Sequence, residues 1–235
     1  MSRIDTCVLL AAGAGTRLRD AAESKPLCRV AGKPLIDHAI ERLARAGIAR
    51  VIVTTGYRAE DVEAHLAARR WPVAVESART DDWRQPNGVS ALAAAPLLEG
   101  RETLLAMCDH LVDPALYARM ADAGAGDGLR LGIDRRLGHA WVDSLDVTCV
   151  ATRGERIVAI GKELEPHDCY DTGVFAVGPA FFAALSSLAA PSITDAVRAL
   201  IAEDKAWAVD CSDLDWIDVD DAKALAAANA WALVA

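Results

Sequence analysis

Six side chains carry the charge and setting that chemistry needs: Arg17, Lys25, Asp109, Lys162, Asp218 and Asp220. Arg17 closes the run Leu10-Ala11-Ala12-Gly13-Ala14-Gly15-Thr16-Arg17, and Lys25-Pro26-Leu27 begins eight residues later. The run lacks bulk, and Gly13 and Gly15 allow backbone conformations closed to other residues, so its N–H groups can turn toward an anion. Arg17 adds a planar fork of donors suited to phosphate oxygens, and Lys25 a compact cation beside a stiff proline. Two familiar phosphate loops fit poorly. The Walker pattern requires a Lys after the second Gly, and the dinucleotide fingerprint requires a third Gly where Leu18 stands.

Asp109 follows the apolar run Leu104-Leu105-Ala106-Met107-Cys108. A carboxylate at the end of a buried strand is costly unless it is used or paired. One or two such groups suit Mg²⁺ that also meets substrate phosphates. Trp216-Ile217-Asp218-Val219-Asp220 offers the second carboxylate: in strand geometry Asp218 and Asp220 share a face, so one or both join Asp109. Asp218 is preferred, since Asp220 also suits the cap of a C-terminal helix starting near Ala222. In the loop Arg84-Gln85-Pro86-Asn87-Gly88-Val89-Ser90, Asn-Gly marks a turn, stiffened by the preceding Pro. The amides of Gln85 and Gly88 are placed to meet the edge of a pyrimidine, with Asn87 between them. Ser90 either joins them or caps the following helix. From Gly161 to Gly173, Lys162 is the candidate cation for an acceptor's phosphate. Asp168, Asp171 and Thr172 are matched to the hydroxyls of a polyol.

These groups need elements to hold them. Thr6–Leu10, Val51–Thr55, Val73–Val75 and Thr103–Met107 read as strands. Leu35–Ala46, Glu60–Arg70 and Val89–Leu98 read as helices, with a loop over Ser77–Gly88. Such alternation predicts an α/β fold: a Rossmann-like, mostly parallel sheet flanked by helices, with ligands outside the carboxyl ends of its strands. The glycine loop, Gly56, the 85–90 loop and Asp109 all fall at that edge. Strands at Val147–Val150, Arg156–Ile160 and Val174–Val177 predict a small β-containing acceptor-binding subregion in the second half. One domain over 1–235 is expected, 1–127 binding nucleotide and 128–235 binding the acceptor and ending in the helix. The 235 residues are 53% hydrophobic, enough for a sizeable core, and no apolar run reaches the ~20 residues of a membrane span. Six scattered Cys form no C-x-x-C pair, which with the lack of a signal peptide predicts a reducing cytoplasm. A net charge of −9 excludes general nucleic-acid binding but not capture of one nucleotide.

The opening run with Lys25-Pro26-Leu27 resembles the nucleotidyltransferases that activate sugar and polyol phosphates, the MobA-like NTP transferase superfamily. Met107 to His110, Pro86 to Ser90, Ile160 to Leu164 with Asp168 and Asp171-Thr172-Gly173, and Trp216 to Asp220 narrow this. Together they resemble the CTP:inositol-1-phosphate cytidylyltransferases over nearly the whole chain. One departure is Cys108, where that family usually has Gly. The resemblance implies that Leu10, Ala11, Ala12, Gly13, Gly15, Thr16, Arg17 and Lys25 contact CTP, with Gln85, Asn87, Gly88 and Ser90 near its base. It implies Mg²⁺ on Asp109 with Asp218 or Asp220, and Arg17, Lys25 and Asp109 as the catalytic set. Lys162, Asp168, Asp171, Thr172 and Gly173 would face inositol 1-phosphate. Some members are fused to a membrane-embedded phosphotransferase; with no such segment here, a stand-alone soluble enzyme is expected, with a homodimer admitted. The rivals are another acceptor (phosphocholine, caged by Trp83, Trp141 and Tyr170, or a sugar 1-phosphate), a silent nucleotide-binding module, and a Rossmann oxidoreductase.

Overall fold

Strands buried on both faces show no polar side, so they read as unbroken aliphatic runs. β1 (Thr6–Leu10), β4 (Arg50–Thr55) and β6 (Thr103–Met107) are of this kind. The computed structural model describes residues 3–19, 22–143 and 146–232. Met1, Ser2 and 233–235, the outer ends of the expected 1–235 domain, lie outside the described residues. The three strands lie parallel, with β5 (Ala74–Arg79) at the edge, in the order β5-β4-β1-β6. The order reverses direction between β1 and β6, so the ligand crevice of such a sheet opens at their carboxyl ends. Between β1 and β4 come a small hairpin, β2 (Arg29–Val30) and β3 (Lys33–Pro34), and helix α1 (Leu35–Arg45).

Side chains alternate across β1. Cys7 and Leu9 pack with α1, α2 (Ala59–Ala67) and α4 (Pro114–Ala123), whereas Val8 and Leu10 pack with α3 (Asn87–Leu98), α5 (Pro179–Ser187) and α6 (Ile193–Ala202). Three layers result, helices on both faces of one sheet.

Beyond β6 the sheet becomes mixed. β11 (Cys169–Val177) runs antiparallel to β6 and to β8 (Leu129–Asp134). β12 (Ala206–Asp210) is parallel to β8, and the hairpin of β9 (Cys149–Arg153) and β10 (Arg156–Gly161) closes the far edge. Strands β8 to β12 therefore extend the first sheet to nine strands. The expected loop over Ser77–Gly88 is shorter, because the polar residues through Arg79 pair with β4 as an edge strand.

A separate two-stranded ribbon shapes the crevice. β7 (His110–Val112) pairs antiparallel with β13 (Trp216–Asp218), setting His110 opposite Asp218. Helix α7 (Ala222–Ala232) covers a third apolar cluster that includes Leu18, Leu111 and Ile217. Asn229 in α7 accepts a hydrogen bond from the backbone N–H of Ala31 at 2.7 Å, and Arg42 lies 4.7 Å from the Trp231 ring centre. The ribbon is anchored from β8. Buried Asp134 accepts the Trp216 indole N–H at 2.9 Å and the guanidinium of Arg136 at 2.9–3.2 Å.

Asp134→Ala leaves the buried Trp216 donor unpaired and removes the Arg136 fork, so it should cost on the order of 2–4 kcal/mol in urea unfolding. A loss below about 0.5 kcal/mol, the ordinary scatter of surface changes, would remove Asp134 from this anchoring role.

Candidate active site

The loop after β1 holds its cation by a close approach. Gly15 has φ +55°, and a Cβ there would lie 2.3 Å from the Cβ of Lys25. The Lys25 stem thus runs where any other residue's side chain would stand. Lys25 is buried, and its ammonium meets Asp109 at 2.6 Å and also Asp220. Burial disfavours the ammonium, but Asp109 and Asp218 outweigh it and hold Lys25 above its ordinary pKa. Asp109 responds in kind: burial works to raise its pKa, and Lys25 and His110 bring it below the usual carboxylate value. Asp109 lies just beyond β6 and Asp218 at the end of β13, and the β7–β13 ribbon joins them. The backbone N–H of Val219 donates to the Asp109 carbonyl at 3.0 Å, which fixes the register.

Arg17 donates to Asp146 at 2.6 Å and pairs with Asp220. Lys162, from just beyond β10, pairs with the other oxygen of Asp146. Asp146 therefore bridges the cation expected at the nucleotide and the cation expected at the acceptor. Burial pushes its pKa up, yet Lys162 and Arg17 leave it below the ordinary value. A cavity of about 290 Å³ opens among these groups, bordered by Arg17, Asp109, Asp146, Lys162, Asp171 and Asp218.

Within that wall, His110 is bonded through Nδ1 to the Thr172 carbonyl at 3.0 Å, and its Nε2 lies 3.5 Å from Asp218 and 4.0 Å from Asp109. Burial would lower its pKa, but Asp218 and Asp109 raise it to about 9. The Asp218 Oδ1 atom is buried with no hydrogen-bond partner. An anionic oxygen in that state is costly unless a cation meets it, so the pair Asp109 and Asp218 fits a divalent metal held by oxygens. Asp218 and Asp220 each reach the same cavity although β13 ends at Asp218; Asp220 is taken up by Arg17 and Lys25.

Several expected site residues sit elsewhere. Asp168 faces away from the cavity lining: it accepts from the Thr152 N–H at 2.7 Å and hydroxyl at 2.6 Å and pairs with Arg135, tying β9 to β8. The Thr172 hydroxyl is buried and donates to the Gly132 carbonyl at 2.7 Å, so only its carbonyl serves the site. Gly173, with φ +77°, gives its space to the His110 ring, which a Cβ would approach to 2.4 Å. Gly88 and Ser90 lie inside α3. A Cβ at Gly88 would stand 2.4 Å from the Pro191 carbonyl, so this glycine serves helix packing. Ser90 does not cap α3, which begins earlier, at Asn87. Asn87 borders the cavity, and its side chain accepts from the Ile193 N–H at 3.0 Å, joining the starts of α3 and α6. Gln85 bonds Asp82 at 3.3 Å outside the cavity lining. Of the expected loop residues Leu10, Ala11, Ala12, Gly13, Gly15, Thr16 and Arg17, Arg17 borders the cavity and the others do not. Of the three aromatics expected for a choline cage, only Trp141 borders the cavity: Trp83 packs on Tyr57 at 5.1 Å, and the Tyr170 hydroxyl accepts from Gly138 at 3.1 Å. Asp146 and His110 are the site residues that sequence reading missed. Asp146 lies in no motif, while His110 directly follows Asp109.

Asp171 borders the cavity and accepts the Gly173 N–H at 2.7 Å. Burial pushes its carboxyl up to about 6, against the opposing pull of that N–H and of His110. A folded pKa above the unfolded value of about 3.9 means that the folded state binds more protons between about pH 4 and 6. This group's contribution to stability is therefore present at low pH and lost as pH rises through that window. Asp171→Asn should match the parent's Tm near pH 4 and exceed it by a margin that grows to a plateau above about pH 7. A Tm difference that stays flat from pH 4.5 to 8 would contradict this burial effect.

Known proteins place this geometry. The MobA-like NTP transferase domain model matches residues 7–210. A protein of Rubrobacter xylanophilus named "Bifunctional IPC transferase and DIPP synthase" is 36% identical over 168 residues, 71% of this chain and 37% of the relative. One of the same name from Aquifex aeolicus is 28% identical over 92% of this chain and 49% of its own length. The chain thus spans less than half the length of these relatives. Among solved structures, the inositol-1-phosphate CTP transferase from T. maritima superposes with a TM-score of 0.82, covering 95% of this chain and 92% of its own at 22% identity, which shows a common fold. With its glycine loop, buried lysine and paired carboxylates at the switch point of the sheet, the chain belongs to the MobA-like NTP transferase domain family and is a nucleotidyltransferase.

Proposed function

We propose that this protein transfers the cytidylyl group of CTP to inositol 1-phosphate, giving CDP-inositol and pyrophosphate. One observation carries the reading: Arg17, Lys162 and Asp171 border one cavity together with Asp109 and Asp218, and Lys25 is paired to Asp109 and Asp220, both in its lining. Such an arrangement receives two polyanions end to end. The names of the Rubrobacter and Aquifex relatives support a transferase of this kind, and the hydroxyl-matched Asp171 beside Lys162 supports a polyol phosphate acceptor. The buried free thiols support a cytoplasmic setting. Among the described residues no helix is long and apolar enough to cross a membrane.

In this reaction a phosphate oxygen of the acceptor attacks the α-phosphorus of CTP as the bond to the pyrophosphate oxygen breaks. A phosphate monoester loses its second proton near pH ~6, so the nucleophile is ionised at neutral pH and needs no general base. Catalysis then rests on alignment and on charge placed in advance. Lys25 neutralises charge developing on the α-phosphate, and Arg17 binds the departing pyrophosphate. Lys162 holds the acceptor phosphate, and Asp171 orients its hydroxyls. Asp109 and Asp218 would hold Mg²⁺, which when bound supplies further neutralisation of the phosphate oxygens.

Pyrophosphate release should be fastest with CTP and inositol 1-phosphate in a panel of four NTPs against phosphorylated polyols, sugars and choline. No release with any pair would leave a silent nucleotide-binding module; a faster phosphocholine or sugar phosphate would displace the inositol acceptor. Asp109→Asn should lower kcat by at least the ~10²-fold of losing one electrostatic stabiliser.

The two lysines should separate by role. Lys162→Ala should raise the KM for the acceptor with that for CTP nearly unchanged, and Lys25→Ala should depress kcat. A Lys162→Ala variant with raised KM for CTP alone would put the acceptor elsewhere.

A further inference from the structure

We infer that His110 is a third protein ligand of the metal on Asp109 and Asp218, making the centre a mixed oxygen–nitrogen site that prefers Mn²⁺ or Co²⁺ to Mg²⁺. The inference rests on the proposed metal role of those two carboxylates. One oxygen from each and one imidazole nitrogen lie within 4.8 Å of one another. Ligand bonds of about 2.1 Å put ligand atoms about 3 Å apart when adjacent and about 4.2 Å apart when opposite. The separations of Nε2 from Asp218 and Asp109, 3.5 and 4.0 Å, fall in that range.

The ring is aimed and held. Its Nδ1 is committed to the Thr172 carbonyl at 3.0 Å, the outer-shell bond by which ligating histidines are oriented, and Nε2 is turned to the carboxylates, where a bound metal displaces the Nε2 proton. One ring face stacks on Trp216, with centroids 5.9 Å apart and planes at 19°, and Trp216 is itself held by Asp134. The other side meets Gly173, where a Cβ would come within 2.4 Å of Nδ1. Only 12% of the side chain is exposed. The cross-strand pairing of His110 with Asp218 fixes the two backbones, and the buried, partnerless Oδ1 of Asp218 is the acceptor that a cation would complete. Imidazole suits the later first-row divalent ions, whereas Mg²⁺ favours oxygen donors.

The full chain, labelled with ¹⁵N-histidine or unlabelled, is titrated with Mn²⁺ with and without CTP, following free Mn²⁺ by EPR. Mg²⁺ affinity is measured by competition. Pulsed EPR of bound Mn²⁺ should show a nitrogen coupling that changes with the label. His110→Asn should abolish it and weaken Mn²⁺ about 10–100-fold, with Mg²⁺ weakened less than ~3-fold. Absence of the coupling in the parent overturns the proposal whether or not the variant folds, as does equal weakening of both ions in a folded variant. Asp109→Asn separates the two readings: retained metal binding, or no bound Mn²⁺ in the parent under either condition, sinks the metal centre itself. Loss in Asp109→Asn without a nitrogen coupling in the parent sinks only the histidine ligand.

Discussion

A buried ammonium must be answered by carboxylates, and the crevice of this protein is built around that requirement at Lys25. Asp109 reaches it from the end of β6 and Asp220 from beyond β13, while Gly15 yields the space for its stem. Three segments far apart in the sequence are thereby tied to one atom. Desolvation of such a group is costly, and the attraction of its partners offsets it only when all are in place. The arrangement therefore specifies a geometry more than it adds stability. On the proposed function, the same cation that organises the loop also meets phosphate charge.

The second carboxylate depends on a chain of support rather than on the main sheet. Asp134 at the end of β8 fixes Trp216; Trp216 stacks on His110; the β7–β13 ribbon then sets Asp218 beside Asp109. Each link uses a different interaction: a buried hydrogen bond, an aromatic contact and a short ladder. α7 presses on the ribbon through Ile217 and on the glycine loop through Leu18, so one apolar cluster couples both sides of the crevice. Precision in placing two like charges comes from this outer layer, because the carboxylates themselves repel.

The first half of the fold, through β6, was legible in the sequence because its signals are local. Buried parallel strands announce themselves as aliphatic runs, and Gly15, Arg17 and Lys25 sit within one loop. What was hidden depends on pairing at a distance. β5 continues through Glu76 to Arg79 with the composition of a loop, since an edge strand is polar on its open side. Helix α6 carries a visible cap, with Ser192 accepting from the Asp195 N–H at 3.0 Å, but its Ala-rich neighbours blur the periodicity. On the acceptor side, charge alone did not separate roles: Asp168 and Asp171 are three residues apart, yet one faces Arg135 and the other the cavity. That difference follows from strand alternation along β11, since residues three apart point to opposite faces, and a segment read as a loop between strands does not reveal it.

On the proposed function an acidic chain receives two polyanions, an apparent contradiction that the ion pairs resolve. Arg17, Lys25 and Lys162 each lie against a carboxylate: Asp146 serves Arg17 and Lys162, and Asp220 serves Arg17 and Lys25. On the proposed function, a phosphate entering either subsite takes over a cation already oriented for it, so the guanidinium and ammonium groups need little reorganisation. The carboxylate released from one cation stays close to the next. Because Asp146 touches both subsites, occupation of one alters the competition that a phosphate meets at the other, and the two substrates are coupled through a single side chain. Net negative charge is then no obstacle to binding phosphates; shared carboxylates gather the cations and aim them before the substrates arrive.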